Sequence, residues 1–264
     1  MISVIIPTLN EAPTLPALLG ALQNETTEHD TIVVDGGSRD GTVEIALAHR
    51  VTVLHAPPGR GSALCTGVQH AQGEVLLFLH ADSGFPKGGL QRIEQALSGD
   101  LGVIGGNFRV VFDGASRFGK WLTSCYAHIR ALGFYYGDSG IFVRRSVYDA
   151  LGGFRPIALM EDWDFVRHLE RYGRTCCIGE PPLITSSRRF EDRHPTAIVY
   201  RWVKLHLLFW LGVSPDRLAE IYKTHARRVD LSRRENIPQK GAETAARQHS
   251  KDSVQLYSAR GSLP

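Results

Sequence analysis

Apolar residues along this chain gather in short runs, separated by loops rich in Gly, Pro, Asp and Ser. Val75–Leu79 (VLLFL) holds five apolar residues with no alternation, the pattern of a strand covered on both faces of an α/β sheet. Ser3–Ile6 has the same character and predicts a first buried strand stopped by Pro7. Between them, Leu15, Leu18, Leu19 and Leu22 fall at i, i+3, i+4, i+7 spacing and predict a helix, with Pro13 and Pro16 near its first turn. Thr31–Val34 predicts a second strand ending in Asp35. A turn over Gly36–Gly41 then leads into a helix from Thr42 to about His49. Val51–Leu54 predicts a third strand, and the loop Pro57–Gly61 opens a helix that ends near Gly73. Strands alternating with helices in this way predict a parallel, Rossmann-like sheet.

The second half is patterned differently. Val103–Phe112 predicts a longer strand, with Gly105-Gly106 marking a bulge or a close backbone approach. Residues 115–132 predict a helix, Gly137–Arg144 a strand, and Ser146–Leu151 a short helix. Asp162–Tyr172 predicts a helix with Phe165, Val166 and Leu169 inward and Gly173 at its C-terminus, followed by a strand over Thr175–Ile178. Pro195–Val213 is nearly apolar all round but broken by Arg201, Lys204 and His206, which leaves it too short to span a bilayer. Three readings fit it: packing on the domain, a homodimer contact over 199–213, or a peripheral membrane contact, with packing or dimerisation weighted above the membrane. From about Arg227 the chain turns polar, as a poorly ordered tail would. The expected division is a domain over 1–215, a helical extension over 195–226 and a tail over 227–264. Within the domain, 1–100 forms a nucleotide-binding half and 101–194 an acceptor and catalytic half.

Composition narrows the class without naming it. The 264 residues are 43% hydrophobic and 22% charged, which suits a globular protein with a sizeable core. A formal charge of +3 and the lack of a basic block interleaved with aromatics argue against nucleic acid as a partner. The cysteines Cys65, Cys125, Cys176 and Cys177 form no CxxC pair, and reduced thiols in a cytoplasmic protein are the economical reading. Met1 runs straight into the first strand, so no signal peptide is expected.

Acidic residues stand at the ends of core elements: Asp35 after the second strand, Asp82 after the Val75 strand, and Glu161-Asp162 before a helix. Ligands bind beyond the carboxyl ends of strands in open α/β sheets, so Asp35 and Asp82 should open onto one crevice. The alternative for Asp82 is a turn cap, as for most Asp residues after strands, and for Asp162 a helix N-cap. Carboxylates gathered in one place repel unless a cation or a donor-rich ligand lies among them. Mg²⁺ or Mn²⁺ holding phosphate oxygens would resolve that conflict, because such ions take one or two carboxylates plus substrate phosphates.

The ordered set SVIIPTLNEAPTL, TIVVDGGSRDGT, LLFLHADS, GDSGIFVRR, MEDWDF and SSRRFE resembles the family 2 glycosyltransferases over roughly residues 1–215. Within that family it is most similar to a bacterial subgroup labelled radical-SAM/selenodomain-associated transferases. The resemblance implies a GT-A fold, a Rossmann-like mixed sheet flanked by helices, with a C-terminal helical extension and polar tail added here. It also implies inverting transfer from a nucleotide-sugar donor to an acceptor that remains unnamed.

Carried over position by position, the resemblance puts Pro7 and Glu11 in the nucleotide pocket and Asp35 on the base, usually uracil. Arg60 matches a basic position near base and phosphates. His80-Ala81-Asp82 stands where the family has its DxD motif, with Asp82 as the metal-binding carboxylate and His80 in place of the usual first Asp. Asp138, in Gly137–Gly140, is implied to meet sugar or acceptor hydroxyls. Glu161-Asp162 matches the ED motif, whose Asp is the catalytic base, and Arg188-Arg189-Phe190 matches a basic, aromatic-flanked motif near the diphosphate or acceptor. His194 is a further metal or phosphate candidate. A dinucleotide oxidoreductase is excluded, since no GxGxxG turn follows the first strand. A sugar-phosphate nucleotidyltransferase lacks its Gly-rich basic loop there, and a non-catalytic nucleotide-sugar-binding protein finds support only in His80.

Overall fold

The computed structural model of the chain describes residues 1–113, 117–186 and 195–222. The chain divides into two compact units, Met1–Leu218 and Ala219–Pro264, the second described only through residue 222. The first unit holds strands β1 (Ile2–Thr8), β2 (His29–Asp35), β3 (Thr52–His55), β4 (Val75–Phe78), β5 (Val103–Phe112), β6 (Ile141–Arg144) and β7 (Arg174–Thr185). Its helices are α1 (Leu15–Gln23), α2 (Thr42–Ala48), α3 (Arg60–His70), α4 (Gly89–Gly99), α5 (Arg117–Ala131), α6 (Arg145–Ala150), α7 (Glu161–Tyr172) and α8 (Pro195–Trp210). The strands form one sheet in the order β3-β2-β1-β4-β6-β5-β7. The first four run parallel, β6 is antiparallel to both neighbours, and β7 is parallel to β5. The mixed sheet expected from the sequence is therefore present.

Unbroken apolar runs are explained by two cores, one on each face of the sheet. On one face Val4, Ile6 and Leu77 pack with the leucines of α1 and with Leu90, Ile93 and Leu97 of α4. On the other, Ile5, Leu76 and Phe78 pack with Leu64 and Val68 of α3 and with Phe165, Val166 and Leu169 of α7. Successive residues of a strand point to opposite faces, so a strand filling both cores must be apolar throughout. The α4 stripe Leu90, Ile93, Leu97 carries helical spacing, a further element beyond those predicted.

Three predicted boundaries need correction, one being the last strand, which runs past Ile178 to Thr185 as it pairs along β5. Pro7 does not stop β1: it pairs in register with Val34, and Thr8 extends the strand to accept the Gly36 N–H at 2.9 Å. Ile5 directs its carbonyl to Leu79 N beyond the end of β4, so two residues on, the missing N–H of Pro7 faces a side where the β4 ladder has finished. Gly137–Arg144 is not one strand either. Gly137–Ser139 forms a 3-10 turn, Gly140 takes a left-handed conformation (φ 66°), and β6 begins only at Ile141.

Candidate active site

Four segments far apart in sequence meet where β4 ends and β6 begins. Phe78 of β4 pairs with Ile141 of β6, which brings His80 beside the Gly137 turn. Arg60 opens α3 after Gly59, whose φ of 135° suits glycine. Glu161 and Asp162 open α7. The close approach is tight: a Cβ on Gly137 would lie 2.8 Å from His80 Nε2 and 3.2 Å from Asp162 Oδ2. A side chain at 137 would force the His80 ring to move.

Arg60 is the centre of this cluster. Its Nε donates to Glu161 Oε1, its Nη2 to Asp162 Oδ2 at 3.1 Å, and its Nη1 lies 3.1 Å from His80 Nε2. Donor and acceptor roles in this last contact depend on the His80 tautomer. The cation that reconciles Glu161 with Asp162 is thus supplied by the chain itself. Burial works against the charge on Arg60, but Asp162, Glu161 and Asp138 outweigh it and raise its pKa. Glu161 is 1% exposed at its side chain, and burial, with Asp162 alongside, raises its pKa against the pull of Arg60. Asp162 goes the other way. Burial would raise it, but Arg60, the Gly137 N–H at 2.9 Å and His80 hold it below the usual carboxylate range. Its Oδ1 accepts the Trp163 N–H at 2.8 Å. Asp162 is not the N-cap, which is Met160.

A cavity of about 200 Å³ opens beside the cluster and is lined by Pro7, Glu11, Arg60, His80, Ala81 and Asp82 among others. The structure therefore brings six of the residues singled out from sequence to one cleft. Asp35 is not among its lining residues, although Gly36 is. Asp35 is 2% exposed, and its carboxylate accepts the N–H groups of Gly37 and Ser38 at 2.9 Å each and the Ser38 hydroxyl at 2.5 Å. Burial opposes its charge, yet these donors hold its pKa below the ordinary value. Glu11 Oε2 accepts the Thr14 hydroxyl at 2.9 Å. Asp138 Oδ2 accepts the Tyr126 hydroxyl at 2.9 Å, and burial followed by Asp138 raises the Tyr126 pKa so that it stays a donor. Arg189, with Arg188, Phe190 and His194, lies outside the described residues.

Among the described residues, no group of three or more His, Cys, Asp or Glu side chains could hold a metal ion alone. The cleft offers the carboxylates of Asp82 and Glu11, and the ring nitrogen of His80 facing the cluster is taken by Arg60. That donor set suits a hard divalent cation that arrives with most of its ligands on a diphosphate.

One feature of the site escaped sequence reasoning, an aromatic wall that flanks Asp162. Trp163 stacks on Phe134 (ring centroids 5.0 Å apart) and on Tyr136 (5.5 Å), and His206 of α8 meets it edge-on at 4.5 Å. His206 Nδ1 lies 2.7 Å from the Trp202 carbonyl and so donates to it, leaving Nε2 to accept the Tyr136 hydroxyl at 3.1 Å. The available signal was adjacency: Tyr136 precedes the Gly137 turn and Trp163 follows Asp162.

Comparison with known proteins agrees with this geometry. The profile described as "Glycosyl transferase family 2" matches residues 3–152. A "PGL/p-HBAD biosynthesis glycosyltransferase" of Mycobacterium bovis is 30% identical over 208 residues, covering 70% of this chain and 72% of the relative. Among solved structures, the mannosyltransferase PcManGT from Pyrobaculum calidifontis, in complex with GDP-Man and Mn²⁺, superposes with a TM-score of 0.58 at 21% identity. That match covers all of this chain and 76% of PcManGT. Glucosyl-3-phosphoglycerate synthase from Mycobacterium tuberculosis, in complex with UDP, gives 0.56 at 20% identity, covering 81% and 80%. At that identity the likeness is one of fold, and the fold is GT-A.

Proposed function

We propose that this chain, which belongs to glycosyl transferase family 2, moves a sugar from a nucleotide-diphospho-sugar, with uridine as the base, to a hydroxyl acceptor with inversion at the anomeric carbon. The observation that carries this reading is the position of Asp162, buried at the start of α7 and tied through Arg60 to the cleft that holds His80 and Asp82. An acceptor hydroxyl must lose its proton as the new bond forms, and a carboxylate within hydrogen-bond reach takes it. Arg60 and the Gly137 N–H favour the ionised form of Asp162, the form that can accept a proton. Inversion follows when the hydroxyl attacks the face of the sugar opposite the departing diphosphate, through an oxocarbenium-like transition state.

The cleft residues Pro7, Glu11, Arg60, His80, Ala81 and Asp82 are assigned to the donor, and Asp138 to sugar or acceptor hydroxyls. Asp82 would hold Mg²⁺ or Mn²⁺, which when bound stabilises the charge on the leaving diphosphate as a Lewis acid. Glu161, buried against Arg60, serves as a positioning residue that sets the guanidinium between base and cleft. Asp35 acts through its turn, presenting Gly36 to the cleft. The order of the motifs supports the further assignment to the radical-SAM/selenodomain-associated subgroup.

The test is a thermal-shift screen of UDP, GDP, CDP and dTDP with and without Mn²⁺, joined to a transfer assay. One diphosphate should stabilise the chain, and more so with metal. Asp82→Ala should lose the metal-dependent increment. Asp162→Asn should keep the nucleotide shift while transfer falls by about 10²–10⁴-fold. No shift with any nucleotide, or near-normal turnover in Asp162→Asn, would overturn the reading.

A further inference from the structure

α8 has two faces of different character. Its inner face packs on the site: Leu205 joins Met160 in one apolar cluster, and His206 meets Trp163 and Tyr136. Its outer face carries Tyr200, Val203, Leu207 and Trp210, with Leu211 in the turn that continues the helix, and each of these is more than half exposed. Their i, i+3, i+7, i+10, i+11 spacing makes one stripe along a helix of about 24 Å. Lys204 is exposed on the same side, Arg201 flanks it, and no acidic residue occurs from Pro195 to Ser214. No helix among the described residues is long and apolar enough to cross a membrane.

We infer that this face docks the protein on an anionic lipid surface, with α8 lying in the plane of the interface. Charge decides between the candidate occupants. An isologous contact with a second copy sets this face against itself, bringing Lys204 towards its own counterpart with no carboxylate on α8 to meet it. Anionic headgroups match that cation, and the apolar stripe enters the acyl boundary. Tyr200 and Trp210 are the residue types favoured at that depth, where one end of the ring system is apolar and the other wet. Because the inner face of the same helix holds Trp163 and Tyr136, docking would set Asp162 close to the lipid surface. On the transferase reading proposed above, on which this last step rests, the acceptor class is then a lipid or lipid-linked hydroxyl.

The test is co-sedimentation of the full chain with vesicles of phosphatidylcholine, with and without phosphatidylglycerol. The chain should pellet with the anionic vesicles, less so at high salt. Leu207→Glu/Trp210→Glu should weaken apparent affinity about tenfold or more, since it puts charge into the apolar face. Lys204→Glu, which leaves the stripe intact, should reduce binding to the anionic vesicles alone. The UDP thermal shift, which reads the donor cleft, should stay unchanged in all variants, so failure here is separable from failure of the transferase reading. No pelleting, or equal pelleting of wild type and the double variant, would overturn the inference. So would a concentration-dependent dimer abolished by the double variant without any vesicle binding, which would make the face a contact between copies.

Discussion

Arg60→Met removes the guanidinium and keeps the stem, leaving Glu161 and Asp162 buried together without their cation. Removing one partner of a fully buried ion pair costs about 3–5 kcal/mol. The Arg60 side chain is 32% exposed, so solvent screens part of that, and about 2–3 kcal/mol is the expected loss. In a unit of this size, each kcal/mol lowers Tm by roughly 2–4 °C, which puts the drop at about 4–12 °C. The sign of the pH dependence follows from the carboxyls. Without Arg60 the folded pKa of Asp162 rises above its unfolded value, and that of Glu161, already raised, climbs further. An acid shifted in that direction penalises the fold fully above its folded pKa and releases the penalty as pH falls towards the unfolded value. The Tm deficit of Arg60→Met should therefore be larger at about pH 7.5 than at about pH 5. Adding Glu161→Gln should recover most of it, by leaving one carboxylate in place of two. Scanning calorimetry of wild type, single and double variants at both pH values reads all three effects. A deficit within about 1 °C, or one identical at the two pH values, would refute the claim that Arg60 supplies the counter-charge.

Asp35→Asn should cost about 1–3 kcal/mol at neutral pH, because the turn donors of Gly37 and Ser38 lose their charged acceptor. Since the wild-type carboxyl is depressed in the fold, its contribution is complete above the unfolded pKa and lost as pH falls through the folded one. Urea denaturation should show the two proteins converging in acid, and a constant gap would sink the idea. Gly61→Ala would place a Cβ 2.7 Å from the Arg155 carbonyl oxygen and 2.9 Å from that of Ile157, both backbone atoms. α3 must shift, carrying Arg60 with it, so stability should fall by about 1–3 kcal/mol and turnover should fall too. Unchanged denaturation midpoint and kcat would show that the helix start has room to spare.

Much of the fold was legible because its elements are locally consistent. The four leucines of α1, the unalternating run of β4 and the stripe of α7 each state their element in a single short window. The Gly137 turn was misread as strand because GDSGIFVR continues smoothly into β6, while what bends it, the Asp162 carboxylate accepting the Gly137 N–H, lies 25 residues away. The convergence of Arg60 with Glu161 and Asp162 across 101 and 102 residues belongs to the same class. A lone loop arginine carries no local mark of the carboxylates it will meet. Asp35 shows the opposite limit: its place at a strand end was readable, but not that neighbouring backbone N–H groups would claim its carboxylate.

Met160, the residue before Glu161, holds a left-handed conformation (φ 69°, ψ 18°) that side chains other than Gly, Asn and Asp seldom adopt. Its side chain is buried with Leu205 of α8 and Leu218, and this packing keeps the backbone in that state. The heading of the first turn of α7, and of Asp162 with it, is thereby mortgaged to apolar contacts more than forty positions later in the chain. An evolutionary consequence follows. A substitution at Leu205 that leaves the sheet intact would still let Met160 relax, so α8 and the ED pair are free to vary only in concert. Diverging sequences would then be expected to carry paired changes at Met160 and Leu205.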